Sequence, residues 1–590
     1  MKLISLFPKI FLLIILLYTF SQCASRGIIT GGPKDTIPPT LVYSIPKHQT
    51  TDWKAEEFAF VFDEVIQLNN IREQLIITPR IDFEYDYKYR KKSLTLDFNG
   101  NFADSTTYTF NFRETIEDIT EGNPSTFTTF TFSTTTFLDS LSIEGRTFDL
   151  LSQDTLKNVT IGMYQSNDTI NTLDVQPYYF TKSDEEGFYK IENIRNGKYL
   201  IMAFQDGNSN LIPDTESEKF AFVADTVQLD SSFSDIDFYL VQQDLRELRN
   251  TNASTSGTYF HINFNKFIES FSVTNLGTED SLNAQLTNDN RTIRIFPTLQ
   301  IIDSLPVFFS VVDTVGYELE DTVYINFRES SRKAADFTLS ATPSKNDGIT
   351  KTQHFEFDFN KPVVRYNIDS IYFRYDSTRL DTFKIKGFKW SDHAQLLQFE
   401  SEINPAVLDT LEAQKQKYIS AVRDSLAQLQ QADTMSDDSP NLLSKGKQTV
   451  SSSKSEKKIV TGFHLHIGSQ AFISADRDTL SAIDFSYNIL NTADYGTING
   501  QVTSDHSSFQ IQLLNNKNAI VAEIKNQKDY QFVKVKPGNY KIRVLIDNDN
   551  NGTWDAGDYF KRQMPEDVYY FPEELTIRAN WELNKIDLSF

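Results

Sequence analysis

The densest group of metal-type ligands in the chain is Asp547-Asn548-Asp549-Asn550-Asn551-Gly552-Thr553-Trp554-Asp555-Ala556-Gly557-Asp558. Oxygen-bearing side chains alternate from Asp547 to Asn551, a glycine takes the sixth position and an acid the twelfth. Ca²⁺ gathers about six to eight oxygen ligands, and glycine at that point permits the sharp turn that collects them. The spacing predicts a Ca²⁺ site formed by Asp547, Asp549, Asn551, Asp555 and Asp558, with the Thr553 carbonyl as a further ligand. Asp558 is shorter than the Glu that ordinarily closes such a loop, and a strand rather than a helix is expected to precede it over 540–546. The competing reading is that Asp and Asn only shape hairpin turns, through side-chain to backbone hydrogen bonds. A sister loop at Asp206, Asn208, Asn210 and Asp214 keeps the spacing but has Leu211 for Gly552 and Ser217 for Asp558.

Other candidates are sparse. His464 and His466 alternate on a predicted strand and so share one face, where two imidazoles could bind a metal; no third ligand is evident, and an exposed strand face is the plainer expectation. No G-x-S-x-G, H-E-x-x-H, Walker A or Gly-rich dinucleotide turn occurs. The chain reads as a non-enzyme without an assured cofactor, Ca²⁺ being the one candidate.

Cys23 is the only cysteine in 590 residues and follows Lys2, Lys9 and the apolar run Phe11 to Leu17. That run is too short to cross a bilayer as a helix and reads as a cleaved signal. Phe20-Ser21-Gln22-Cys23 resembles a bacterial lipobox, with Ser21 in pattern and Phe20 and Gln22 outside it. The resemblance implies acylation of Cys23, with palmitate among the chains, and anchoring in the outer membrane, since Asp does not follow the cysteine. Several acyl chains on one residue hold a protein to a membrane far more firmly than one. The face of that membrane is left open.

These sites need elements to carry them. A net charge of −23 excludes a nucleic-acid surface, which requires clustered Lys and Arg. With 47 Phe and 26 Tyr in alternating tracts, the composition is that of many half-buried strands. Phe58, Phe60 and Phe62, then Leu75 to Pro79, Leu94 to Leu96, Thr107 to Phe110 and Phe130 to Thr134, are strand-length runs of period two that predict an antiparallel sandwich. Their order, with Ile116 to Ile119 and Gly122-Asn123, is similar to the S-layer-type bacterial Ig-like domain. The string Gly31 to Pro39 behind the lipobox resembles Bacteroidota lipoproteins that carry such domains. The opening strand recurs at Phe260 to Lys266 and at Phe355 to Val363.

A second unit is also duplicated. Ile143-Glu144-Gly145 matches Ile498-Asn499-Gly500, and Asn196-Gly197-Lys198-Tyr199 matches Pro537-Gly538-Asn539-Tyr540, each leading to one of the Asp/Asn loops. The pattern resembles the transthyretin-like sandwich of carboxypeptidase regulatory domains. One stretch breaks the β pattern: Leu408, Leu411, Tyr418, Val422, Leu426 and Leu429 fall at helical spacing after Pro405, and 435–458 is Ser-, Asp- and Lys-rich, as expected of a disordered loop.

The expected architecture is all-β, a string of Ig-like and transthyretin-like β-sandwiches with one helical and disordered insertion. The expected divisions are a signal at 1–22, a lipidated tether at 23–37, Ig-like domains at 38–136, 244–331 and 332–494 (insertion 401–458), and transthyretin-like domains at 137–243 and 495–590. The function expected is a non-catalytic scaffold or binding lipoprotein of the outer membrane, an accessory subunit beside an outer-membrane protein partner; the alternative is a glycan-binding or adhesive surface protein. Trp53, Trp390, Trp554 and Trp581 are too scattered to mark a glycan platform.

Overall fold

The computed structural model describes residues 35–590, apart from 55–56, 167–169, 279, 288, 298–303, 329, 332–333, 377, 382–384, 392, 434–462 and 490–491. Cys23, the signal and nearly all of the tether lie outside the described residues, as does the Ser-rich stretch 435–458. The fold is all-β, built as a series of sandwiches with one long helix. The chain divides into two compact units: 1–148, 155–213 and 225–238 form one, and 149–154, 214–224 and 239–590 the other. Among the described residues no helix is long and apolar enough to cross a membrane.

In the first unit, strands Leu41–Ile45, Glu57–Phe62, Ser93–Phe98 and Tyr85–Arg90 form one sheet in that spatial order, and Ile76–Thr78, Thr107–Asn111 and Thr129–Ser133 form a second. Phe58, Phe60 and Phe62 point inward and are fully buried, as the period of two demands. The Phe58 ring meets Phe98, Phe110 and Phe130 edge-on at 5.5, 5.1 and 5.9 Å, the arrangement that the aromatic quadrupole favours. Each such ring contributes about 1.5–3 kcal/mol of burial relative to exposure. Asp118 closes the loop before the last strand: its Oδ1 accepts the N–H groups of Thr120, Glu121 and Gly122 at 2.9, 2.6 and 3.0 Å. These bonds, that of Glu121 foremost, outweigh desolvation and hold its carboxyl well below the usual carboxylate range.

The duplicated unit repeats in detail as well as in spacing. Gly145 pairs with Tyr189 on the neighbouring strand, as Gly500 pairs with Tyr530. The Tyr189 hydroxyl donates to Ile236 O at 2.7 Å, and that of Tyr530 to Ile586 O at 2.6 Å. A Cβ on Gly145 would sit on that same Ile236 oxygen, and one on Gly500 on that of Ile586, so only glycine admits the later segment. Tyr199 and Tyr540 close the following turns by donating to Arg195 O and Lys536 O, each at 2.8 Å.

In the second unit, the weaker Phe260 to Lys266 copy also opens a sandwich. Asn250–Ser256, Tyr259–Phe264, Thr292–Ile295 and Ala284–Leu286 form one of its sheets, and Ile268–Asn275, Leu305–Asp313 and Glu318–Ile325 the other. The third copy pairs Leu339–Thr342, Thr352–Phe359, Leu396–Glu402 and Ile385–Trp390 in one sheet; Gly348–Ile349, Ile483–Ile489, Phe463–Ile467, Ile371–Tyr375 and Thr378–Arg379 form a second. In both copies the lysine after Phe-Asn is buried. Lys266 contacts Asp313 and lies 5.1 Å from the Tyr317 ring, while Lys361 reaches Asp476 at 2.8 Å and Asp478 at 2.7 Å.

The predicted helix forms over Pro405–Asp433, with proline in its first turn and the Asn404 side chain accepting the Ala406 N–H at 3.1 Å. Leu408 is buried in the core of this third copy with Val407 and Leu411 against it, whereas Tyr418, Ile419 and Val422 are exposed. The strand before the helix runs through Glu402, so the insertion expected from residue 401 starts slightly later.

Candidate metal centre

In the last sandwich, Gly496–Thr503 pairs with Asp529–Val535, and Gly538–Asp547 pairs with Ser508–Asn515. The candidate loop springs from the end of Gly538–Asp547, which places Asp547 as a buried residue. Its two carboxylate oxygens accept the N–H groups of Asn551 and Gly552, at 3.1 and 2.8 Å. Gly552 has φ +97°, a left-handed conformation that glycine adopts without steric cost. The Asn551 amide donates to Asp555 at 2.6 Å and its carbonyl accepts from the Thr553 N–H at 2.9 Å.

A ligand that the sequence spacing does not reveal completes the cluster. Glu566, beyond the loop, accepts the N–H groups of Asn548 and Asp555 at 2.6 and 2.8 Å. The carboxylates of Asp547, Asp549 and Glu566 offer ligand atoms within 4.8 Å of one another. Asp558, expected to close the loop, serves its own turn, accepting from the Phe560 N–H at 2.9 Å and pairing with Lys561 at 2.9 Å. The returning segment before strand Val568–Tyr570, through an isolated bridge at Gln563 and residues 563–567, carries Glu566 back to the loop.

Electrostatics separate these acids. Burial, with the Asp547 charge adding to it, pushes the Glu566 carboxyl upward against its backbone bonds. Burial would raise Asp547 too, but hydrogen bonds from Ser508, Gly552 and Asn551 outweigh it and hold that group low. Three carboxylates thus converge, with burial opposing the charged form of Glu566 and hydrogen bonds favouring that of Asp547, an arrangement that a divalent cation would relieve. The sister loop shows how much of this is turn geometry. Asp206 accepts from Asn210 and Leu211 at 3.0 and 3.3 Å, the same two positions, although Leu211 must take φ +60° to do so.

The histidine pair differs from its expectation of an exposed face. Its strand is paired on both sides, so His464 is buried and His466 half-buried. His466 Nδ1 lies 2.8 Å from Asp484, which also accepts from Arg374 at 2.5 Å, and Tyr372 packs against the imidazole at 4.9 Å. Aspartate and arginine engage this face as an ion-pair network.

Residues 35–136 match the bacterial Ig-like domain family (Big_5), which classes the first sandwich. No curated protein matches the chain. Similar solved structures include BcpA, the major pilin subunit of Bacillus cereus, at 7% identity over 76% of this chain and 99% of that one, with a TM-score of 0.12. The S-layer protein SbsC is 9% identical over 92% and 67% of the two chains, with a TM-score of 0.14. A Bacteroides ovatus protein, SGBP-B of a mixed-linkage glucan utilization locus, solved with a heptasaccharide, is 8% identical over 68% and 85%, at a TM-score of 0.14. At such scores the likenesses carry no argument about what this chain binds.

Proposed function

We propose that the chain is a non-catalytic binding or scaffold lipoprotein, anchored in the outer membrane through acylated Cys23 and serving as an accessory subunit beside an outer-membrane protein partner. The observation that carries the reading is the serial β-sandwich architecture, in which successive domains offer strand edges and loops to partners. Within it we assign 38–136, 244–331 and 332–494 as Ig-like and the duplicated units, 137–243 and 495–590, as transthyretin-like. The exposed Tyr418, Ile419 and Val422 of the helix favour a docking role for the insertion. We also propose Ca²⁺ as the ion of the last loop, with Asp547, Asp549 and Glu566 as its carboxylate ligands.

Labelled palmitate tests the anchor: incorporation is expected in the native chain, and incorporation that persists in Cys23→Ala overturns it. Affinity purification from solubilised outer membranes tests the role. Stoichiometric recovery of an integral barrel protein is expected, and a monodisperse monomer with no partner refutes the accessory-subunit reading.

A further inference from the structure

The first sandwich has an unequal pair of sheets, four strands against three. The outermost strand, Tyr85–Arg90, lies at an edge and pairs with Ser93–Phe98 alone. Register fixes what one of its faces carries: Tyr85, Tyr87 and Tyr89 lie opposite the core residues Phe98, Leu96 and Leu94. Tyr85 is covered by the short helix Ile71–Gln74, donating to Ile71 O at 3.3 Å. Tyr87 and Tyr89 remain 37% and 50% exposed despite pointing the way a core residue points. Arg72 lies over the Tyr85 and Tyr87 rings at 4.9 and 5.6 Å.

Charge singles out this edge. In a chain of net charge −23, Lys88-Tyr89-Arg90-Lys91-Lys92 holds four cations in five residues. Lys88 is only loosely paired, with Asp97 at 3.8 Å, and Arg90 and Lys91 have no ion-pair partner among the described residues. Same-face positions along a strand repeat at about 6.6 Å, twice the rise per residue, a spacing on the scale of one sugar residue. A tyrosine ring offers an apolar face to the C–H side of a pyranose and a hydroxyl to its rim.

We propose that the Tyr85–Arg90 edge is a binding platform for an acidic polysaccharide, with Tyr87 and Tyr89 stacking on successive sugars and the positive charge of Arg90 and Lys91, at the end of the strand, attracting its carboxylates, Arg72 being taken up by Asp86 at 3.9 Å. The proposal rests on the reading of the chain as a non-catalytic binding protein and supplies a ligand class for its first domain. An added peptide strand is the poorer fit, because Asp86, Lys88 and Arg90 alternate along the free edge, and charges there oppose strand pairing.

Affinity electrophoresis of the full chain through gels containing polygalacturonate, dextran or polyglutamate tests this, with sedimentation against phosphatidylglycerol vesicles as a further arm. Retardation by polygalacturonate alone is expected. Tyr87→Ala/Tyr89→Ala should weaken it on the order of tenfold, from two ring contacts. Arg90→Ala/Lys91→Ala should weaken it and flatten its salt dependence. Both pairs are exposed, so an unchanged melting temperature is expected and separates lost binding from lost folding. Equal retardation by polyglutamate, sedimentation with vesicles but no retardation by polygalacturonate, or retardation that survives Tyr87→Ala/Tyr89→Ala overturns the proposal. Such a failure with barrel recovery intact leaves the accessory-subunit reading standing.

Discussion

Replacing Lys266 by Met removes one partner of an ion pair in which Lys266 is 1% exposed and Asp313 is fully buried. The methionine fills much the same volume, so packing changes little. The carboxylate left behind keeps only the N–H groups of Val315 and Tyr317, both at 2.9 Å on its other oxygen. Breaking a buried pair in this way costs about 3–5 kcal/mol, because one charge stays desolvated without its counter-ion. Against a domain stability of about 5–15 kcal/mol, that leaves the sandwich holding Lys266 marginal. Hydrogen exchange localises the effect, since peptides spanning 259–264 and 305–313 should lose protection while those of the last sandwich do not. Lys266→Met/Asp313→Asn is the decisive companion: it discharges the site yet keeps an oxygen for the two N–H donors, and should recover most of the loss. If the single change lowers protection by less than about 1 kcal/mol, or if the double change is no better than the single, the buried-charge argument is wrong.

Three further outcomes are expected. Millimolar Ca²⁺ should raise the melting temperature of the 495–590 sandwich relative to chelator, by binding the folded form only, and Glu566→Ala or Asp549→Ala should each remove the difference; identical melting in both assigns the loop to turn chemistry alone. Because the Asp118 carboxyl is held low in the fold, its contribution is complete above the unfolded carboxylate pKa of about 3.9 and is lost as pH falls through the folded value; acid titration of the first sandwich by tryptophan fluorescence should show this, and Asp118→Ala should flatten that limb. Gly500→Ala drives a methyl into the Ile586 carbonyl, a backbone atom that cannot rotate away, and should destabilise the last sandwich by about 3 kcal/mol, read as a fall in its melting temperature.

The sandwich cores were readable because alternation is a local signal: Phe58, Phe60 and Phe62 announce their inward face without reference to any partner strand. The helix was equally legible, from the spacing of Leu408 and Leu411 behind Pro405. What escaped depends on where distant residues return. Glu566 joins Asp547 only because the returning segment brings it back, and no spacing within the loop encodes that. The burial of Lys266 and Lys361 was hidden because a lysine after Phe-Asn reads as a solvated turn residue until its aspartate partner is located. The tyrosine ladder at Tyr85, Tyr87 and Tyr89 has the alternation of a core strand, and its place at the edge of the sheet is set by pairings that the alternation does not encode.

The paired glycines also set a timetable. Gly145 receives Ile236, 236 − 145 = 91 residues later, and Gly500 receives Ile586, 586 − 500 = 86 residues later. Each of these two sandwiches therefore closes on a segment from the far end of its own sequence. At about 5–20 residues per second of synthesis, that segment reaches its glycine roughly 4–18 seconds after the slot is made. Through that interval the slot is open to other extended segments of the chain. Chain order limits exchange between the repeats, because the Gly145 slot can fill with Ile236 before the second repeat, from residue 495, has been made.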